Sequence, residues 1–301
     1  MNRRQAAEAA LALNTIVWGA TFVLVKTALA NISPLLFLAL RFSVATVALL
    51  AIFRGRAWPT GAGRRQWRAA GAGALAGAFL FSAYLLQTLG LRLTTAPRSA
   101  FLTGLTSVAV PLLAALVYKT RPQISEVAGV VVATVGLGLM TLRGAAGFMS
   151  SGDLLTLFCA IGFAAYIVTL GHFTEQMSFE ILSVAQIGVA ALLSLSLFWW
   201  VEVPRVEWRP AVVWAILITG LLATALAFTI QAWAQQYTSS TRTALIYMLE
   251  PVVAWITSYC IAREGLSGRA AAGAALILGG VVLVEVKPLK ARRHRLTRTE
   301  E

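Results

Sequence analysis

Ten runs of about twenty mostly apolar residues, separated by short loops, constrain this chain more than any other feature. A helix rises 1.5 Å per residue, so each run is long enough to cross the ~30 Å hydrocarbon core of a bilayer. The runs fall at 9–30, 34–53, 69–91, 97–118, 124–142, 153–173, 179–201, 210–235, 241–262 and 268–286. Turn and breaker residues lie between them: Asn31 to Pro34, Pro59 within Arg54 to Arg68, Arg121-Pro122, Gly144 to Gly152, and Pro204 to Pro210. Only 12% of the 301 residues are charged and 58% are apolar. A soluble domain carries about twice that charge, so a soluble enzyme, a disordered chain and a coiled coil are excluded. The expected fold class is all-α, a polytopic membrane protein with ten transmembrane helices. No large extramembrane domain fits, and oligomerisation is not required.

The net charge of +13 does not indicate nucleic acid, because the cations come in short bursts between apolar runs. With alternating spans, one set of loops and tails carries sixteen Lys and Arg and the other seven, while Lys26 and Arg41 lie within spans. The positive-inside rule then places both termini in the cytoplasm, with a basic tail over 291–301, and a bacterial inner membrane is the expected location. Arg3 and Arg4 precede the first run as they would in a signal peptide, but its length, Asn14 and Lys26 favour an uncleaved helix. Cys159 and Cys260 form no CxxC pair, and His172 and His294 have no ligand-like neighbours, so neither a metal nor another cofactor is expected. The expected partners are a small-molecule substrate and membrane lipids.

A shift of 144 residues sets Gln87 on Gln231, Thr94 on Thr238, Arg98 on Arg242, Gly129 on Gly273 and Gly136 on Gly280. The matched stretch needs no gap from Ala83 to Leu139. Two copies of five spans follow, over 1–148 and 149–290, and an odd number of spans inverts the second copy in the membrane.

An ionisable residue deep in a span is a functional candidate by default. Glu250 lies about 15 Å into span nine, and Pro251 frees a carbonyl beside it. It is either a coupling group that exchanges a proton or a fixed charge that holds a cation. Thr243, Tyr247, Glu250 and Ala254 share a helical face, which the repeat turns into Ser99, Thr103, Thr106 and Val110. Further polar stripes are Asn14, Trp18 and Thr21 with Phe22 beside them, Tyr84, Gln87 and Thr88, Tyr166 and Thr169, and Thr224, Phe228, Gln231 and Gln235. Lipid would leave such groups unsatisfied, so they should face a central cavity. Arg41, Arg98 and Arg242 are the candidate electrostatic partners, and Lys26 is expected to snorkel to the interface. Trp58, Trp67, Trp199, Trp200, Trp208 and Trp214 read as interface anchors. Gly73 with Gly77, and Ala275 with Gly279, read as helix contacts.

The chain also resembles the drug/metabolite transporter superfamily with two EamA-type repeats. The resemblance is carried by Trp18-Gly19-Ala20-Thr21-Phe22 through Lys26, Leu40-Arg41-Phe42, Gln87-Thr88-Leu89-Gly90-Leu91, Ala100 to Leu105, Val110-Pro111-Leu112, Leu249-Glu250-Pro251-Val252, Arg263 to Ser267, and Gly279-Gly280-Val281. Thr120 departs from the pattern, standing where the second half has Glu264. The resemblance implies ten helices, an inverted repeat, a central substrate cavity and no enzymatic activity. It suggests a secondary transporter, read as an exporter, working by alternating access with or without proton coupling. It says little about the substrate, and the aromatic and amide residues expected in the cavity suit a small neutral or zwitterionic metabolite such as an amino acid. A lipid flippase is the alternative. A membrane enzyme fits less well, since no acidic cluster, nucleophile–base pattern or nucleotide loop is present.

Overall fold

The computed structural model describes residues 2–55, 63–91, 93–94, 96–119, 122–141, 149–174, 176–262 and 268–286. Its helices are α1 (Arg3–Ala28), α2 (Pro34–Ile52), α3 (Arg64–Leu91), α4 (Ala96–Gly104), α5 (Thr106–Tyr118), α6 (Ile124–Thr141), α7 (Ser151–Thr174), α8 (Phe179–Val201), α9 (Pro210–Gly220), α10 (Ala227–Ala234), α11 (Ser240–Tyr247), α12 (Glu250–Ala262) and α13 (Gly268–Val286). A π-helical turn, Leu221–Leu226, joins α9 to α10. Among the described residues, six helical stretches are long and apolar enough to cross a membrane, and Ile124–Met140 and Gly268–Val284 are shorter apolar helices. Val47, Leu50, Leu116, Leu192 and Trp200 stand exposed, an apolar coat suited to lipid. The protein is therefore an all-helical, polytopic integral membrane protein.

Local chemistry sets the helix ends. The first helix starts six residues before its apolar run, because Asn2 and Gln5 cap each other's backbone in a capping box. Pro34 opens α2, where its missing N–H costs nothing, and Glu202 Oε1 accepts from Leu35 N at 2.8 Å and Leu36 N at 2.9 Å. That carboxylate satisfies two orphan donors at the positive end of the helix. Next to it, Ser33 N donates to Arg205 O and Glu207 N to Asn31 O, tying two loops together.

Spans four and nine, expected as single helices, are each broken. Leu105 divides α4 from α5, and Met248-Leu249 divides α11 from α12. Pro251 explains the second break: without its N–H, the preceding amides of Met248 and Leu249 tighten onto Leu245 O and Ile246 O. The first break has no proline in the equivalent place. There, Thr106 Oγ1 donates to Thr103 O at 2.6 Å and Ser107 Oγ to Gly104 O at 2.9 Å, hydroxyls that compete with the helix ladder. Thr243, Tyr247, Glu250 and Ala254 thus do not lie on one continuous helical face. Both breaks fall at the same repeat position: α4, α5 and α6 begin at Ala96, Thr106 and Ile124, and α11, α12 and α13 begin 144 residues later in each case.

Small residues set the closest helix crossings. Gly73 and Gly77 lie against Leu182, Ala185 and Gln186 of α8, with no room for a Cβ. Between α6 and α13 the contact is reciprocal. Gly129 packs on Gly280, and Gly136 on Gly273, where a Cβ at Gly136 would fall 2.5 Å from the Gly273 carbonyl oxygen. The expected Ala275–Gly279 contact is not made: Ala275 is exposed and Gly279 faces open space. Composition is small on both faces of α13, and the buried face is the one carrying Gly273 and Gly280. Trp67, Trp199, Trp200, Trp208 and Trp214 stand exposed near helix ends, and Trp58 lies outside the described residues.

Candidate functional site

The site is built around the π turn of span eight. A π turn takes one residue more than an α turn and leaves a carbonyl off the ladder, a feature concentrated at functional sites. Here Ala223 O accepts from Trp18 Nε1 at 2.8 Å and from Arg41 Nη2 at 3.2 Å. Thr224 Oγ1 accepts from Arg41 Nε at 2.6 Å. The buried guanidinium also lies over the Tyr84 ring, 5.5 Å from its centre. Arg41 is therefore fixed from two sides, and two of its five N–H donors are committed by these bonds.

Seven rings from six helices pack together at this level. Trp18 meets Phe228 at 5.5 Å and Tyr247 at 4.8 Å, and Phe228 meets Tyr166 at 5.8 Å. Tyr84 meets Phe42 at 5.6 Å and Phe163 at 5.2 Å. Most of these contacts are edge-to-face, the favoured geometry for aromatic quadrupoles. Glu250, half-buried in the first turn of α12, lies within electrostatic reach of Arg41, Tyr84 and Tyr247. It makes no hydrogen bond or ion pair with another described residue. A guanidinium and a carboxyl group thus border the same rings, and among the described residues the guanidinium is held by hydrogen bonds while the carboxyl group is not.

Several buried polar atoms border the rings without a hydrogen-bond partner among the described residues: Tyr166 Oη, Tyr247 Oη, Gln231 Oε1, and both amide atoms of Gln186. Tyr247 lies beside Asn14 and Tyr166 beside Gln186, without hydrogen-bonding geometry. Leaving such atoms unpaired in an apolar interior is costly, and a polar ligand would satisfy them.

The remaining sequence candidates separate into two groups. Gln87 Nε2 donates to Thr103 Oγ1 at 3.3 Å, Thr106 also reaches Ala160 O, and Gln231 Nε2 donates to Gln235. These line the breaks and the π-turn helix. Asn14 spends its amide on Ala227 O at 2.8 Å, a helix-to-helix tie. Thr21 bonds Val17 O and Trp18 O within its own helix and offers nothing to the rings. Ser99 is buried in α4, and Thr169 is half-buried on α7, without ring contact or hydrogen bond to this group. Arg242 is not beside Glu250: its Nη1 pairs with Glu8 Oε1 at 3.4 Å and its Nη2 donates to Val284 O, near the start of α1. The side chains of Phe22, Lys26, Arg98 and Ala254 lie outside the described residues, as do Thr120 and Glu264. Sequence reasoning missed Phe42, Phe163 and Gln186. Nothing in an apolar run distinguishes a ring facing the bundle from one facing lipid.

The EamA-like transporter family model matches this chain twice, over residues 5–142 and 150–286. An uncharacterized transporter of Archaeoglobus fulgidus is 34% identical over 285 residues, spanning 95% of this chain and 87% of that protein. The uncharacterized transporter YoaV of Bacillus subtilis is 21% identical over 89% of this chain and 93% of its own length. A solved structure titled only "Crystal structure of protein" superposes with a TM-score of 0.79 at 20% identity, covering 94% of this chain and 97% of that one. That likeness concerns the fold alone. Two family matches that together cover nearly all of the chain, laid on a polytopic helical bundle, make this protein a member of the EamA-like transporter family, a membrane transporter built of two repeats.

Proposed function

We propose that the protein is a secondary transporter of a small zwitterionic metabolite of the amino-acid class, bound at the aromatic group between Arg41 and Glu250. What supports the reading is a guanidinium and a carboxyl group bordering one set of rings. Arg41 keeps uncommitted N–H donors for a carboxylate, and its planar fork suits that geometry. Glu250 is free to take an ammonium, which the faces of Trp18 and Tyr247 also favour. One carboxylate cannot hold a proton and a substrate ammonium at once, so occupancy of Glu250 by one excludes the other and couples the two fluxes.

Alternating access in this reading uses two halves, 1–148 and 149–290, inverted with respect to each other and with both termini cytoplasmic in a bacterial inner membrane. The 144-residue register of α4–α6 with α11–α13 and the reciprocal glycine contacts of α6 with α13 support it. Counterflow in proteoliposomes of the purified protein tests the substrate class. Unmodified amino acids should exchange, while N-acetyl and methyl-ester derivatives should compete at least about tenfold more weakly, each lacking one charge-assisted contact. Equal competition by the blocked derivatives, or no exchange of any amino acid, would refute it.

A further inference from the structure

Two carboxylates outside the central site stand in matching places. Glu8, near the start of α1, accepts from Thr238 Oγ1 at 3.0 Å and pairs with Arg242 at the start of α11. Asp153, near the start of α7, accepts from Thr94 Oγ1 in the turn between α3 and α4. Thr238 lies 144 residues after Thr94, and Asp153 lies 145 after Glu8. Each acid therefore reaches from the first helix of its own half to the turn after the third helix of the other half.

The surroundings correspond too. Beside Asp153, Gly90 and Gly152 pack so closely that a Cβ on Gly152 would lie 2.7 Å from Gly90 O. Their counterparts in the repeat, Ala234 and Ala7, are fully buried together with Leu11 and Ile246. The two closures lie at opposite ends of the bundle. Asp153 marks one end of α7. Towards the other, Ile167 O accepts from Gln235 and Ser240, which flank Thr238 in sequence, and Gly171 packs against the same two side chains. Residues 153 to 171 of α7 separate the ends by about 27 Å, close to a bilayer's apolar thickness.

We propose that Glu8 and Asp153 are the two gate latches of the transport cycle, with Thr238–Arg242 and Thr94 as their respective catches. The proposal rests on the alternating-access reading above but not on the substrate class. In the structure both latches are closed, and opening one end requires breaking one of them. Local capping is the competing role: Ser150 N donates to Asp153, and Arg4 pairs with Glu8 one turn away. Capping would make both variants mere destabilisers.

Thiol labelling by a membrane-impermeant maleimide separates the two roles. Cys260 is exposed and is removed as Cys260→Ser, leaving Cys159, fully buried six residues inside the Asp153 latch, as one reporter. Leu11→Cys, in a Cys159→Ala and Cys260→Ser background, reports on the other end. Asp153→Asn should speed labelling of Cys159 at least about tenfold and slow that of Leu11→Cys, and Glu8→Gln should do the reverse. Thr94→Val and Thr238→Val remove the hydroxyl contacts while leaving the charges, the caps and the Glu8–Arg242 pair in place, and should reproduce each shift in direction. They decide the question if a carboxylate variant does not fold. Reporters that rise together, or do not respond, overturn the latch assignment. Because labelling needs no substrate, reciprocal shifts with no amino-acid exchange would retain the latches and refute only the substrate class.

Discussion

Replacing Arg41 by Met probes the centre of the site most sharply. The substitution keeps an unbranched apolar stem but removes the bonds to Thr224 Oγ1 and Ala223 O and the charge above Tyr84. Thr224 is fully buried, so its hydroxyl loses the donor that approaches it at 2.6 Å. Hydrogen bonds from a charged donor contribute about 1.5–3 kcal/mol each. Removing the charge also leaves Glu250 without the cation whose field reaches it. With the two hydrogen bonds to Thr224 Oγ1 and Ala223 O lost, Arg41→Met should destabilise the protein by about 3–6 kcal/mol. Adding Glu250→Gln removes the stranded charge, and the double variant should recover roughly 1–3 kcal/mol relative to the sum of the two singles. Reversible unfolding of the four proteins in one detergent gives the cycle. Arg41→Lys should lie in between, since it keeps the charge and loses the fork. An Arg41→Met protein as stable as the parent, or strictly additive effects, would refute electrostatic coupling across the aromatic group.

Gly136→Ala should destabilise by about 1–3 kcal/mol, because its Cβ meets backbone of α13, whereas Gly279→Ala should be neutral or stabilising by up to about 1 kcal/mol. Thermal unfolding of the two variants in parallel checks the contrast. Reporter fusions within 56–62 and after residue 290 should both signal cytoplasm, and a periplasmic signal from either would remove the proposed orientation. In liposomes with an imposed pH gradient, the parent should accumulate substrate against its concentration gradient and Glu250→Gln should not. Accumulation by that variant would detach Glu250 from coupling.

Much of the architecture was legible because bilayer length and periodicity act on composition alone. The ten runs, the 144-residue register and the proline break beside Glu250 follow from residues that have few alternatives in lipid. The centre of the site was less legible. Leu221–Leu226 has the composition of an ordinary helix, so nothing marks the π turn that frees Ala223 O for Trp18 and Arg41. The break at Leu105 comes from hydroxyls of Thr106 and Ser107, residues that elsewhere sit quietly inside helices. Polar type likewise does not reveal use: Asn14 ties two helices and Thr21 bonds its own helix, while the hydroxyls of Tyr166 and Tyr247 have no hydrogen-bond partner among the described residues. Arg242 shows the limit of charge reasoning, since its partner Glu8 is 234 residues away in sequence.

The most direct measurement compares how the parent and Glu250→Gln discriminate an amino acid from its N-acetyl derivative, by competition in counterflow. If Glu250 receives the substrate ammonium, the parent should prefer the free amino acid by about tenfold or more, and the variant's preference should fall towards one. A variant that still exchanges substrate with the parent's preference intact would contradict the placement of the substrate at Glu250.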